Sequence, residues 1–87
     1  MAFQIIYKPA FLRTLKKFPM ELREEVKEKI RIFREDPKHP SLRVHKLKGA
    51  LRGRWSFSVN YQYRVVFRYE NEHTVLFLMV GDHDVYK

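Results

Sequence analysis

The stretch that decides the fold spans residues 63–80 and reads YRVVFRYENEHTVLFLMV. Its first part, residues 63–69, alternates aromatic or aliphatic residues with others, which predicts a strand with one buried face. Residues 74–80 are almost entirely apolar and predict a strand covered on both faces. The link between them, residues 70–73, is short and polar. The stretch therefore predicts an antiparallel hairpin.

Outward from this hairpin, two more strands are predicted. Trp55, Phe57 and Val59 alternate with serine residues, and the link at 60–62 is short enough for a second hairpin. At the N-terminus, residues 2–7 alternate in the same way and predict a first strand. Residues 37–53 contain two Pro and two Gly and are predicted mostly as loop.

Two helices are predicted between the first strand and this loop. Pro9 suits the first turn of a helix, where its missing N–H would have no partner in any case. Pro19 opens a second helix, and Asp36 followed by Pro37 ends it. The apolar stripes of the two helices comprise Phe11, Leu15 and Phe18, then Leu22, Val26, Ile30 and Phe33.

The fold class that follows is α+β, in the order β-α-α-β-β-β. A two-helix hairpin packs on one face of a small, mainly antiparallel four-stranded sheet. With 87 residues the chain has room for one domain.

Composition excludes several functions. The chain has no Cys, which excludes disulfide scaffolds, thiolate zinc sites and cysteine nucleophiles. The longest apolar run, residues 75–80, is far shorter than the ~20 residues that span a bilayer. No signal peptide is visible, so we expect a cytoplasmic protein with no membrane contact.

The charge is concentrated in one part of the chain. The formal net charge is +8. Residues 37–68 hold no acidic residue, and their eight basic residues are Lys38, Arg43, Lys46, Lys48, Arg52, Arg54, Arg64 and Arg68. An uncompensated charge of this size indicates a polyanionic partner, for which nucleic acid is the leading candidate.

Period-2 alternation gives two of these residues a common direction. If Tyr63, Val65 and Phe67 pack under the helices, Arg64 and Arg68 project from the opposite face. Two arginines there could form a phosphate clamp, or they could simply lie on a solvated strand face. Both interpretations stay open.

Two histidines could perform acid–base chemistry. RNA can be cleaved without a metal if a base deprotonates the 2′-OH and an acid protonates the leaving 5′-oxygen. Basic neighbours should favour a neutral His45, which suits a base, whereas Asp82 and Asp84 should favour a protonated His83, which suits an acid. We expect no metal at residues 82–84, because adjacent residues in an extended chain point to opposite faces. No cofactor is expected.

These residues also resemble a known family. HKLKGALRGRWS at 45–56, YRVVF at 63–67 and VGDHDVY at 80–86 resemble the RelE/ParE superfamily, the toxins of type II toxin–antitoxin systems. The likeness extends over nearly the whole chain and is strongest to mRNA interferases of the YoeB and YafQ type. It implies one RelE-like toxin domain over residues 1–87.

The resemblance also implies an activity. Such toxins enter the ribosomal A site, cut the translated mRNA there, and are inhibited by a cognate antitoxin, for which the basic surface could receive an acidic or extended segment. It gives His45 the role of general base, Arg64 that of stabilising the scissile phosphate, and His83 that of general acid. Tyr86 matches a C-terminal aromatic of the site. The residues expected to bind ribosomal RNA or the mRNA backbone are Lys46, Lys48, Arg52 and Arg54, with Arg68.

One departure and two alternatives remain. Ser56, Phe57 and Ser58 stand where relatives often carry basic residues, so some phosphate contacts of the family are expected to be missing here. A ParE-like inhibitor of DNA gyrase would share the fold without needing the histidine pair. A non-catalytic, basic RNA-binding module would need neither histidine.

Overall fold

The computed structural model describes residues 4–49 and 53–82. The elements in chain order are β1 Gln4–Tyr7, α1 Pro9–Lys17, α2 Met20–Glu35, a 3-10 turn Pro40–Leu42, β2 His45–Lys46, β3 Trp55–Ser58, β4 Tyr63–Asn71 and β5 Thr74–Asp82. The α+β class and the order of the helices and longer strands are as predicted.

The sheet contains one strand more than the four predicted. β2 lies in the segment predicted mostly as loop and pairs antiparallel with β3, His45 opposite Ser56 and Lys46 opposite Trp55. Both of its residues are exposed, so they have no apolar alternation from which a strand could be predicted. The same segment contains the 3-10 turn, which buries Leu42 completely.

The strand order is β1-β5-β4-β3-β2. β1 pairs parallel with β5, and the other neighbouring strands pair antiparallel. A parallel pair needs a long connection between its strands, and here α1, α2 and the β2–β4 strands supply it. The β4–β5 ladder shifts register after Val66, because Met79 faces Val66 while Phe77 faces Phe67. Leu78 is the extra residue.

Prolines set the start of both helices, as predicted. Pro9 occupies the first helical position of α1, and Pro19 is the N-cap residue of α2. The basic residues in the last turn of α1 and Glu21 in the first turn of α2 complement the helix dipoles. Within the described residues, no helix is both long and apolar enough to cross a membrane.

The core lies between the helices and one face of the sheet. Phe33 of α2 is fully buried and contacts the rings of Phe57, Phe67 and Phe77 at centroid distances of 5.1, 5.1 and 5.7 Å. Each strand from β3 to β5 contributes one of these rings, so α2 is fixed over the middle of the sheet. The opposite face of the sheet remains for the candidate functional residues.

Candidate nucleic-acid interface

His45 and Arg64 lie on the same face of the sheet, the one away from the helices. One row across the strands runs His45, Ser56, Val66 and Met79. The adjacent row runs Ser58, Arg64 and Gly81. Residues directly opposite each other project from the same face. His45 and Arg64 are thus two strands and one row apart, about 12 Å between Cα atoms by standard sheet spacing.

Arg64 is held by the turn that joins β3 to β4. Its Nη1 donates to the carbonyl oxygens of Asn60 and Tyr63, and its Nη2 donates to that of Tyr61 at 3.1 Å. The guanidinium has five N–H groups, and these bonds use three of them. Within the residues that the structure describes, no carboxylate oxygen lies within 4.0 Å of Arg64. A positioned cation with N–H groups to spare can receive a phosphate oxygen.

The turn itself is stabilised by a side chain. Asn60 Oδ1 accepts hydrogen bonds from the backbone N–H groups of Gln62 and Tyr63 at 2.9 and 2.8 Å. This Asx turn fixes the carbonyl oxygens to which Arg64 donates. The turn and the guanidinium therefore hold each other in place.

The backbone next to His45 favours one tautomer of its ring. Its Nδ1 lies 3.1 Å from the carbonyl oxygen of Arg43. A carbonyl oxygen only accepts, so Nδ1 carries the proton. In the neutral ring Nε2 then carries the lone pair, as a general base requires. The side chain is exposed on the edge strand β2, where a large substrate can approach it.

The other predicted nucleic-acid contacts differ in their surroundings. Lys46 Nζ lies 5.6 Å from the centroid of the Trp55 ring, a distance typical of a cation–π contact. Lys48 and Arg54 are exposed. Arg68 lies on the same face as Arg64, four residues along β4, and its Nη2 is 3.7 Å from a carboxylate oxygen of Glu70.

Arg52, His83 and Tyr86 lie outside the described residues. Two residues of the segment considered for a metal, His83 and Asp84, also lie there. Among residues 4–49 and 53–82, no group of three or more His, Asp or Glu is placed to hold a metal ion.

Sequence reasoning missed a basic cleft beside Arg64. The cleft has a volume of about 500 Å³. Its lining includes three basic residues, two serines and a tyrosine: Lys29, Arg43, Arg64, Ser41, Ser58 and Tyr61. They come from α2, the 3-10 turn and its C-terminal cap, β3, the following turn and β4. No signal in the sequence brings Lys29 to Arg43, because only the packing of α2 against the sheet does so.

The sequence matches the model of one known protein family. The model of the HigB-like toxin family, described as the RelE-like toxin of the type II toxin–antitoxin system HigB, matches residues 14–83. The comparison with the curated proteins finds no match. The resemblance to the RelE/ParE superfamily that the sequence motifs indicated is confirmed.

Solved structures share the fold at low identity. The toxin–antitoxin complex RelBE2 from Mycobacterium tuberculosis matches with a TM-score of 0.79 at 24% identity, over 95% of this chain and 100% of that one. YafQ from E. coli matches with a TM-score of 0.78 at 14% identity, over 95% and 96%. The YoeB dimer from Staphylococcus aureus matches with a TM-score of 0.76 at 17% identity, over 95% and 99%. At these identities the likeness shows a common fold.

Proposed function

Because the chain belongs to the HigB-like family of RelE-like toxins of type II toxin–antitoxin systems, we propose that it is a metal-independent endoribonuclease that cuts translated mRNA on the ribosome. The observation that carries this proposal is the position of His45 and Arg64 on one face of the sheet. The contact of His45 Nδ1 with the Arg43 carbonyl oxygen, at 3.1 Å, favours the tautomer that a base needs. Arg64 is a fixed cation with N–H groups available for an anion.

The proposed reaction uses the 2′-OH of the RNA as nucleophile. Nε2 of His45 takes the 2′-OH proton, and the 2′-oxygen attacks the adjacent phosphorus. Arg64 stabilises the negative charge that grows on the phosphate oxygens. The bond from phosphorus to the 5′-oxygen breaks, and the general acid gives that oxygen a proton. The products are a 2′,3′-cyclic phosphate and a 5′-hydroxyl.

His83 is the proposed general acid. Gly81, the Cα partner of Arg64, precedes it by two positions in the sequence. This proximity in the chain supports an acid close to the Arg64 side of the phosphate. Tyr86 is proposed as an aromatic contact of the same site, on the resemblance alone.

The serines of β3 limit the phosphate contacts on this face. Ser56 is fully buried and Ser58 is 8% exposed, and both lie in the rows that contain His45 and Arg64. Neither supplies a positive charge where relatives often have one. The phosphate contacts must therefore come from Arg64 and from the other basic residues singled out in the sequence: Lys46, Lys48, Arg52, Arg54 and Arg68. We propose that these bind the mRNA backbone or ribosomal RNA.

A bacterial translation extract tests the nuclease. An mRNA is translated with wild-type protein or with His45→Ala, Arg64→Ala or His83→Ala, and primer extension maps the cuts. We expect in-frame cuts that require ribosomes and that each substitution reduces by at least about 10²-fold. His73→Ala removes a histidine exposed in the β4–β5 turn and is the matched control.

The alternatives give different results in this test. If the wild-type protein is folded and the mRNA stays uncut, the proposal of nuclease activity is overturned. Inhibition of DNA gyrase by the same preparation, unaffected by His45→Ala, would then identify a ParE-like inhibitor. RNA binding without either activity would identify a plain binding module.

A cognate antitoxin is the proposed partner. The RelBE2 structure is a toxin–antitoxin complex, and the net charge of +8 complements an acidic partner segment. The test is to identify the protein that co-purifies in stoichiometric amount with the tagged toxin. That protein, made recombinantly, should abolish mRNA cleavage at a ratio near one to one. Cleavage that continues at saturation would contradict the proposal.

A further inference from the structure

The basic cleft beside Arg64 is a candidate binding site, and the nuclease proposal uses none of its lining side chains except those of Arg64 and Ser58. Lys29 comes from α2, Arg43 follows the 3-10 turn, and Arg64 comes from β4. Three cations from three separate elements therefore line one cleft of about 500 Å³. The hydroxyls of Ser41 and Ser58 in its lining add hydrogen-bonding groups.

The charges of this cleft are not neutralised within the described part of the chain. No carboxylate oxygen lies within 4.0 Å of Lys29, Arg43 or Arg64 there. Glu25 is at the rim, where its carboxylate accepts a hydrogen bond from Asn60 Nδ2 at 3.3 Å. Like charges around one cavity repel, so an anion that enters it relieves that repulsion. A phosphate group has the charge and the oxygen atoms that such a cleft accepts.

The second feature of the cleft is an exposed aromatic ring. Tyr61 lines it with 88% of its surface exposed. The backbone there is fixed, because Arg64 donates to the Tyr61 carbonyl and the Asx turn of Asn60 encloses the residue. An exposed aromatic side chain on a fixed turn beside cations is the arrangement on which single-stranded nucleic acid stacks its bases.

The third feature is the backbone of Arg43. Its φ is 50° and its ψ is 47°, in the left-handed region that glycine and asparagine tolerate better. Arg43 is the one described non-glycine residue with a positive φ. Unfavourable backbone conformations of this kind concentrate at functional sites. An arginine held there points to a need for its charge in the cleft.

We propose that this cleft binds one nucleotide of single-stranded RNA, with its phosphate among Lys29, Arg43 and Arg64 and its base stacked on Tyr61. Arg64 lines the cleft and also belongs to the row that contains Gly81. The bound nucleotide is therefore a neighbour of the one that is cut. This last point rests on the proposed nuclease function, whereas the binding itself does not.

A binding experiment with uncleavable RNA tests the inference apart from cleavage. A short single strand with 2′-O-methyl groups at every position carries one 2-aminopurine base, and its affinity is measured by anisotropy at several salt concentrations. We expect Lys29→Ala and Arg43→Ala each to weaken binding by about 3- to 10-fold. The slope of log K against log salt should fall by about 0.7 for each phosphate that is no longer neutralised.

Tyr61 has a separate readout. Stacking changes the fluorescence of 2-aminopurine, so Tyr61→Ala should abolish this change at one position of the label. Its affinity should fall by about 5- to 150-fold, while Tyr61→Trp retains both signals. Lys29→Ala should weaken the affinity and leave the fluorescence change intact at saturation.

The matched control is Lys27→Ala. Lys27 lies in the same helix as Lys29, but it borders the groove between α1 and α2. Its removal should change the affinity by less than either cleft substitution. Equal losses in Lys27→Ala and Lys29→Ala would overturn the inference, because they indicate a general charge effect. If Tyr61→Ala shows the same change in 2-aminopurine fluorescence on binding as the wild type, the proposed stacking of a base on Tyr61 is overturned.

Two further results separate this inference from its rivals. Binding of an acidic peptide that depends on Lys29 and Arg43, with RNA binding that does not, would overturn it in favour of a protein segment. If RNA binding depends on the cleft but no cleavage occurs in the translation extract, the result would support the cleft as an RNA-binding site. It would overturn only the proposed nuclease activity.

Discussion

The ring of Phe33 in α2 stacks on the ring of Phe57 in β3, with the centroids 5.1 Å apart and the planes inclined by 21°. Both rings are fully buried. This contact fixes the distance between the helix that carries Lys29 and the strand that carries Ser56 and Ser58. The shape of the basic cleft therefore depends on the core beneath it.

The first prediction concerns this contact. Phe33→Ala should lower the free energy of unfolding by about 3–5 kcal/mol, because it leaves a cavity against three other rings. Phe33→Leu fills part of that cavity and should cost about 1–2 kcal/mol. Urea denaturation measures both. Met20→Ala, at a side chain 67% exposed, should stay within about 0.5 kcal/mol of wild type. A loss of free energy of unfolding as small as this for Phe33→Ala would contradict the packing of Phe33 against the three rings.

The second prediction concerns the geometry of Arg64. Lysine keeps the charge, but its single ammonium cannot reproduce the fork that bonds to three carbonyl oxygens. We expect Arg64→Lys to lower single-turnover cleavage at least about 10-fold, and Arg64→Ala about 10²–10³-fold. Arg68→Lys is the control on the same strand, and it should lower single-turnover cleavage by less than Arg64→Lys does. Full activity in Arg64→Lys would show that charge alone suffices.

The third prediction is the tautomer of His45. The neutral ring should carry its proton on Nδ1, because the Arg43 carbonyl accepts there at 3.1 Å. Long-range ¹H–¹⁵N correlation spectra at alkaline pH distinguish the two ring nitrogens. His45→Asn assigns the signals among those of the four histidines. A proton on Nε2 would remove the lone pair that the proposed base needs.

The fourth prediction is a loss of stability at alkaline pH. Burial raises the pKa of the Tyr69 hydroxyl above its ordinary value of 10.0. The unfolded chain therefore loses this proton first. From about pH 10 up to the higher pKa of the folded state, the free energy of unfolding falls as the pH rises.

Denaturation curves at a series of pH values measure this effect. Tyr69→Phe should remove the part of the fall in the free energy of unfolding that comes from the Tyr69 hydroxyl. Tyr61→Phe, at an exposed ring, should leave the fall unchanged. Identical alkaline slopes for wild type and Tyr69→Phe would contradict the assignment. The contact of Tyr69 with the Trp55 ring, at a centroid distance of 5.6 Å, is kept by phenylalanine.

The fifth prediction separates the stability of Arg43 from its charge. Arg43→Gly relieves the left-handed backbone and should raise the free energy of unfolding by about 0.5–1 kcal/mol. Arg43→Ala removes the same charge without that relief, so its stability should stay close to wild type. Both should weaken RNA binding equally. Denaturation and anisotropy on the same samples check this, and a destabilised Arg43→Gly would contradict the backbone argument.

Much of the fold could be predicted because its signals are local. Pro9 and Pro19 mark the helix starts through their fixed φ and missing N–H. The strands β3 and β4 show their buried face through alternation, and β5 stands out as a nearly unbroken apolar run. The strand β2 could not be predicted in this way, because His45 and Lys46 are both exposed and become a strand through pairing with β3. The extra residue Leu78 in the β4–β5 ladder is likewise a tertiary effect.

The candidate site was predictable by residue type, but not by arrangement. The uncompensated basic segment and the two histidines stand out in the sequence. The bond from His45 to the Arg43 carbonyl and the bonds from Arg64 to its turn depend on the folded backbone. Lys29 is one of many charged residues on α2, so only packing distinguishes it. The roles of the site residues and the single domain over 1–87 stay predictions.

The parallel pairing of β1 with β5 has a consequence for synthesis. Gln4 pairs with Thr74, so β1 must wait for a partner made about 70 residues later. At about 5–20 residues per second this delay is roughly 4–14 seconds. Arg64 likewise must wait for its partner Gly81, which is made 17 residues later. A ribosome that makes this protein has therefore read past the codon for Gly81 before the surface that carries Arg64 can be complete.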